Sequence, residues 1–326
     1  MHAFNCDGLR AENPIGAMAA FGLLRVCSVR PLFGEARLSW RSLAGAWRAV
    51  LHTERPASLN ELARAMGDSA GEVAVRPELT WAAEVKSAKI DDYKRNVARA
   101  FDSGDREALA WFAAFGSEFG SKEGVLRPTP FDMTVARQRF LADAVRLSEL
   151  MRRGTDESGQ STSAASVQEA LLGPWLYEDD QHSLGWDPVA MRLGAFTHKE
   201  PSKMKNEGVR VVVWLAFQSL PLFPCCYANR SLTARGWASS KAGQMFTWPV
   251  WTTPITLATL EQLLGLAELS DEEEVPMDEL RRRGVVAVYR SRRVKPNKYM
   301  TTFEPAEPCP GSVPPGEYGA TTERTA

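Results

Sequence analysis

The chain is poor in several features that usually announce a function. Its five cysteines (Cys6, Cys27, Cys225, Cys226, Cys309) are odd in number and scattered, with no C-x-x-C pair. That argues against a disulfide framework and a thiol-based zinc knuckle. The opening MHAFNCDGLRAENP lacks the layout of a secretory signal, so a reducing cytoplasm is the expected compartment. Net charge is −1, which gives no global field to draw the protein to nucleic acid or anionic lipid. No G-x-x-x-x-G-K-[ST] loop is present, and this weighs against a nucleotide-driven motor. His2, His52 and His198 stand singly in dissimilar settings and support no Ser/His/Asp order. The seven-residue apolar run Val211–Phe217 is far short of the roughly 20 residues of a membrane span. No internal repeat is found, and no cofactor or membrane partner is expected.

The composition is otherwise that of an ordinary globular protein: 326 residues, 44% hydrophobic and 24% charged, with ten tryptophans that imply a large core or contact surface. His2–Leu9 is expected as a first strand. Asn13-Pro14 then starts a helix, Asn as N-cap and Pro at the first helical position. Its apolar face is Ile15, Met18, Ala19, Gly22, Leu23 and Val26. Ala36–Arg41 and Ala46–His52 read as a hairpin with Leu38, Trp40, Trp47 and Val50 inward. Ser58 and Glu61 have capping-box spacing. The order is that of an α+β protein with an RNA-recognition-like (ferredoxin-like) βαββα start. A helical stretch (Lys86–Phe119) and a long helix (Thr134–Arg153) follow. Gly154–Ser166 has no large apolar residue, so a mobile linker is expected there, separating domains 1–153 and 167–308. The second half centres on Val209–Pro224, read as a helix buried on nearly all sides. FTWPVW (246–251) is expected at an edge because of Pro249. A disordered tail is expected over 309–326.

Three clusters are candidates for chemistry. Arg281, Arg282, Arg283, Arg290, Arg292, Arg293, Lys295 and Lys298 lie in a stretch without an acid. Arg290, Arg292, Arg293, Lys295 and Lys298 on a β-ribbon would contact nucleic-acid phosphates, with Tyr289 and Tyr299 adding base stacking. The alternative is a solvated hairpin neutralised by Asp271–Glu274. Asp179, Asp180 and His182 in the run EDDQH contain metal-ligand material, but the spacing is unspecific and no second cluster completes a site; a turn capped by Asp179 or Asp180 is the competing reading, and no metal is expected. Adjacent Cys225 and Cys226 read as small buried hydrophobes.

The run DGLRAENPIGAMAAFGLLRVCS resembles the start of several CRISPR-associated proteins of type I-G (formerly I-U) systems. Gly8, Asn13, Pro14, Ala19, Ala20, Gly22, Leu23, Leu24 and Arg25 stand in the places of the signature, with Phe21 where Leu is usual. LAFQSLPLFP (215–224) and FTWPVW followed by Pro254 are similar to further patterns of that group. The nearest member by these motifs is the family named as an extension of the CRISPR helicase–nuclease. The resemblance implies a non-enzymatic part in antiviral defence, beside an RNA-guided complex, with crRNA or target DNA and other CRISPR effector proteins as partners. It carries no catalytic residue over. Rival expectations are a protein–protein adaptor docking through Trp248 and Trp251, and a metal-dependent nuclease using Asp179, Asp180 and His182.

Overall fold

The structure, a computed structural model, describes all residues except 136–137, 154–163, 181, 190–207, 229–230, 241–242, 271–274, 299 and 319–326. Asn13 accepts the Ile15 amide at 3.1 Å and opens α1 (Pro14–Val29), in which 14 residues are buried. A helix apolar on all sides must be covered on all sides. Before it runs β1 (His2–Arg10), and after it the hairpin β2 (Ala36–Leu43) and β3 (Ala46–Thr53). β3 lies between β1 and β2, antiparallel to both. Leu38, Trp40, Trp47 and Val50 are buried; the register puts the first three on one face, and Val50, opposite Ser39, on the other. Helix α2 (Leu59–Val73) carries the Ser58–Glu61 capping box.

Among the described residues no fourth strand joins this sheet, so the element order matches a ferredoxin-like start while the sheet stops at three strands. The chain instead continues through α3 (Ile90–Asp102), α4 (Arg106–Phe115), α5 (Phe140–Arg153) and α6 (Ala164–Leu172). α5 begins later than Thr134 because Asp132 first turns the backbone, accepting the Thr134 amide at 3.1 Å. α6 packs against β1, and a Cβ on Gly8 would lie 2.7 Å from the Ala170 carbonyl oxygen.

The apolar run forms α7 (Arg210–Gln218), buried at every residue. It crosses α1 where Gly22 meets Leu215: a Cβ at Gly22 would lie 1.7 Å from the Leu215 carbonyl oxygen. Only glycine allows that approach. A hairpin of β4 (Cys225–Ala228) and β5 (Ser231–Ala234) follows. The larger antiparallel sheet has the order β10-β8-β7-β6, from β6 (Trp237–Ser240), β7 (Gly243–Trp251), β8 (Val285–Asn297) and β10 (Glu307–Pro308). Within it β9 (Met300–Phe303) pairs with the far end of β8. Helices α8 (Leu257–Leu264) and α9 (Met277–Arg282) lie between β7 and β8. β7 has two neighbours, yet β6 pairs only as far as Phe246. Pro249 is beyond that point and needs no partner on that side, so the edge character expected of it is local.

Residues from both sides of 154–166 share one core cluster, so the two expected parts are not separate cores. The linker expected there falls mostly outside the described residues; 164–166 form the first turn of α6. The expectation for the tail is corrected up to Tyr318. Cys309 is buried, its amide bonds to the Val288 carbonyl at 2.8 Å, and Pro315–Tyr318 form a helical turn whose Pro315 carbonyl accepts from Ser42. Pairing with the edge of β8 supplies order that local composition does not show.

Gly22→Ala should destabilise the protein by about 3 kcal/mol, because neither helix backbone can yield. Gly67→Ala, in mid-α2 with nothing closer than the Met151 carbonyl oxygen at 3.8 Å, should instead stabilise by about 0.5–1 kcal/mol. Denaturant unfolding of the two variants checks both signs.

Candidate functional site

The cationic ribbon forms, but its charges are largely tied down. β7 pairs with β8 only up to Arg292, so residues 293–297 project with β9 as a two-stranded ribbon. Arg292 grips Glu304 with two bonds, Nε to Oε2 at 2.7 Å and Nη2 to Oε1 at 2.8 Å. Arg293 turns inward: it donates to Gln244 Oε1 at 3.2 Å and to the Asp132 carbonyl at 3.0 Å, and burial lowers its pKa against the pull of Asp132. Arg290 donates to Thr247 Oγ1 at 3.2 Å. Lys295 and Lys298 are exposed, and Lys295 has no ion-pair partner among the described residues. Arg281 pairs with Asp278 and Arg283 with Glu268, each at 2.7 Å. Tyr289 is buried and cannot stack on a base; Tyr299, the acidic stretch Asp271–Glu274 and His198 lie outside the described residues.

Trp248 and Trp251 require correction. They are 0% and 2% exposed, with indole N–H groups bonded to the Ala11 carbonyl at 2.9 Å and the Leu38 carbonyl at 2.8 Å. Both tie the two sheets together and present nothing to a partner. Asp179 serves α7: its carboxylate takes the Arg210 amide and guanidinium, both at 2.7 Å. This is a helix-start cap with an ion pair added. His182 accepts the Leu184 amide at Nδ1, so Nε2 donates to Asp143, 3.1 Å away. Asp180 is exposed, and among the described residues no three His, Cys, Asp or Glu side chains gather as a metal site. The expected burial of the cysteine pair is corrected: Cys225 is half-buried, its thiol pushed up to about 12 by burial, and Cys226 is exposed.

A different set of residues comes together at the end of β1. The β1–β3 register runs to Cys6↔Ala49 and resumes at Arg10↔Arg48, so Asp7, Gly8 and Leu9 form a bulge. The bulge leaves Arg10 and Arg48 directly opposite, where like charges repel. They flank a cleft of about 700 Å³ whose other wall is Trp175 and Tyr177, in the segment after α6. Arg48 donates to the Asp7 carbonyl, but its Nε has no partner. Its pKa is lowered by burial and then by the charge of Arg10. Arg41, not Arg48, pairs with the Asp7 carboxylate, at 2.7 Å.

The aromatic wall is held stiffly. Trp175 Nε1 donates to the Ala170 carbonyl at 3.0 Å, and its ring meets Tyr177 edge-on at 6.2 Å. Tyr177 has φ +59°, a left-handed backbone that costs a bulky residue about 1–2 kcal/mol. Its hydroxyl donates to Asp187 at 3.1 Å. Asp187 also accepts from the Val189 amide at 3.0 Å. Glu12 accepts the Trp47 amide at 2.6 Å with one carboxylate oxygen, and the other has no partner; burial raises its pKa. The sequence reading assigned no role to these residues. Their juxtaposition depends on the slipped register and on a segment more than 160 positions away, which no local pattern encodes.

No protein-family model matches the chain, and no curated protein matches it. The likeness to type I-G subunits therefore rests on the motifs themselves. In the fold those motifs converge: α1 crosses α7, and Phe21 stacks on Trp251 at 6.0 Å and packs on Phe223 at 6.5 Å. Four polar residues of the first motif, Asp7, Arg10, Glu12 and Asn13, line the cleft.

Trp251→Ala should cost about 3–5 kcal/mol of unfolding free energy, whatever partner is present. A normal melting curve combined with lost partner capture would contradict this placement. Asp143 is pulled upward by burial, but the bonds from His182 and from the Arg139 amide outweigh it and hold its pKa below the usual carboxylate range. A depressed carboxylate stabilises above its unfolded pKa and loses that contribution as pH falls through the folded one. Denaturant midpoints followed from about pH 6 to about pH 3 should therefore drop less for Asp143→Asn than for the parent.

Proposed function

We propose that this chain is a non-enzymatic component of a type I CRISPR antiviral defence system. It works in the cytoplasm beside the effector helicase–nuclease and contacts phosphates of crRNA or target DNA. Its three-stranded start is read as a shortened RNA-recognition-like unit. The observation that carries the reading is the β8–β9 ribbon, which projects past its neighbour β7 and ends in exposed Lys295 and Lys298. Arg292 and Arg293 brace the ribbon through Glu304, Gln244 and the Asp132 carbonyl, so the lysines and Arg290 are the groups that meet the backbone. Base pairing supplies sequence specificity in such complexes, and protein supplies backbone contacts. The non-enzymatic part is supported by Asp179 and His182, which hold a helix start and Asp143.

The fork of Arg292 on Glu304 favours a second reading, a protein adaptor with no grip on nucleic acid. Salt dependence separates the two. The Lys295→Ala, Lys298→Ala double variant should bind more weakly, with its log–log salt slope smaller by about 1.4 on single strands and about 1.8 on duplex. Unchanged binding of RNA and DNA in the double variant at low salt would remove the ribbon as the contact. A parent that binds neither, while its partner capture survives nuclease and high salt, would establish the adaptor instead.

A further inference from the structure

The cleft at the end of β1 is not used by the ribbon reading and shares none of its cations. Three features define what it accepts. The first is charge: Arg10 and Arg48 stand opposite each other across the slipped register, and neither forms a direct ion pair among the described residues, Asp7 and Glu12 of the lining acting on Arg48 only at longer range. Two facing guanidinium groups are stabilised by an anion that both can fork, and a phosphate has the oxygens for it. The second is shape: across about 700 Å³ stand Trp175 and Tyr177, one pinned through its indole N–H and the other through its hydroxyl. Fixed aromatic walls accept a flat ring without losing side-chain freedom. The third is hydrogen bonding: Glu12, in the lining, has one carboxylate oxygen already used and one without a partner. The volume is in the range of small-molecule sites.

The backbone agrees with this assignment. A bulge re-aims side chains at functional rims, and a tyrosine in the left-handed region marks a place where the surrounding structure enforces a strained geometry. Both occur on the walls of this one cleft.

We infer that the cleft binds a nucleotide, its phosphate between Arg10 and Arg48 and its base against Trp175 and Tyr177. The nucleotide is either free or the phosphorylated end of a strand, since the chemistry presented to the cleft is the same. The site does not depend on the CRISPR reading.

Calorimetric titration of the full chain with the four nucleoside 5′-monophosphates, and with the matching nucleosides, tests it. At least one monophosphate should bind, and its nucleoside at least tenfold more weakly. Arg10→Gln, at an exposed strand end, should keep the parent melting curve and lose at least tenfold in affinity. Arg95→Gln, which removes an exposed charge from α3, should bind like the parent. Line broadening of the monophosphate ³¹P signal by the parent protein gives a readout that needs no variant. A 5′-phosphorylated hexanucleotide binding at least tenfold tighter than the monophosphate identifies a strand end; equal or weaker binding identifies the free nucleotide. No heat and no broadening with any monophosphate, or full affinity in Arg10→Gln, overturns the site. A protein that ignores long RNA and DNA yet binds the monophosphate overturns the backbone-contact proposal alone and leaves the cleft standing.

Discussion

Two helices, each apolar around its whole circumference, cross at a point where one of them has no side chain, and the rest of the molecule is built around that contact. Gly22 brings the α1 backbone against Leu215 of α7 at a distance no other residue allows. The close crossing lets Phe21, Trp40 and Trp251 meet in one aromatic group, stacked or edge-on with centroids 6.0–6.4 Å apart. Through Trp251 and Trp248 that group bonds the three-stranded sheet to the larger one. The only charge on the buried length of α1 is Arg25. Its Nη1 donates to the Gln218 carbonyl at the end of α7, its guanidinium pairs with Glu107, and it lies 5.2 Å over the Trp111 ring. A cation at a helix C-terminus is favourably placed, and the carboxylate offsets much of its desolvation.

The same economy governs the surface charges. In the 281–298 block Arg281, Arg283, Arg290, Arg292 and Arg293 are engaged with other groups of the protein. Arg293 in particular is a buried strut. Lys295 and Lys298 stay exposed at the end of the ribbon, and Arg10 and Arg48 stand opposite each other at the cleft. On a molecule of net charge −1, two small basic features act over short range and give no long-range steering.

Elements governed by near-neighbour chemistry were legible in the chain. The Asn13-Pro14 helix start, the 36–53 hairpin, the Ser58 capping box and the buried helix at Val211–Phe217 all follow from spacing and end signals. What depends on long-range pairing was not. Trp248 and Trp251 look like a docking surface in sequence because burial by strands β2 and β8 cannot be seen there. The ribbon's arginines look free because Glu304 and Gln244 enter only through register. The stretch from Cys309 to Tyr318 looks structureless because its order comes from β8 and β2. The cleft was hidden for the same reason: a three-residue slip in one ladder decides which side chains face each other.

The sequence distance between the crossing partners shapes how the protein is made. Arg25 and the Gln218 carbonyl are 193 positions apart, and Ala11 and Trp248 are 237 apart. At roughly 5–20 residues per second of synthesis, α1 waits about 10–40 s outside the ribosome before its cover exists. During that interval the face of α1 turned away from β1 and β2 lacks the surface of α7 that covers it in the finished fold. The burial of α1 is therefore completed only when α7 and β7 have both emerged.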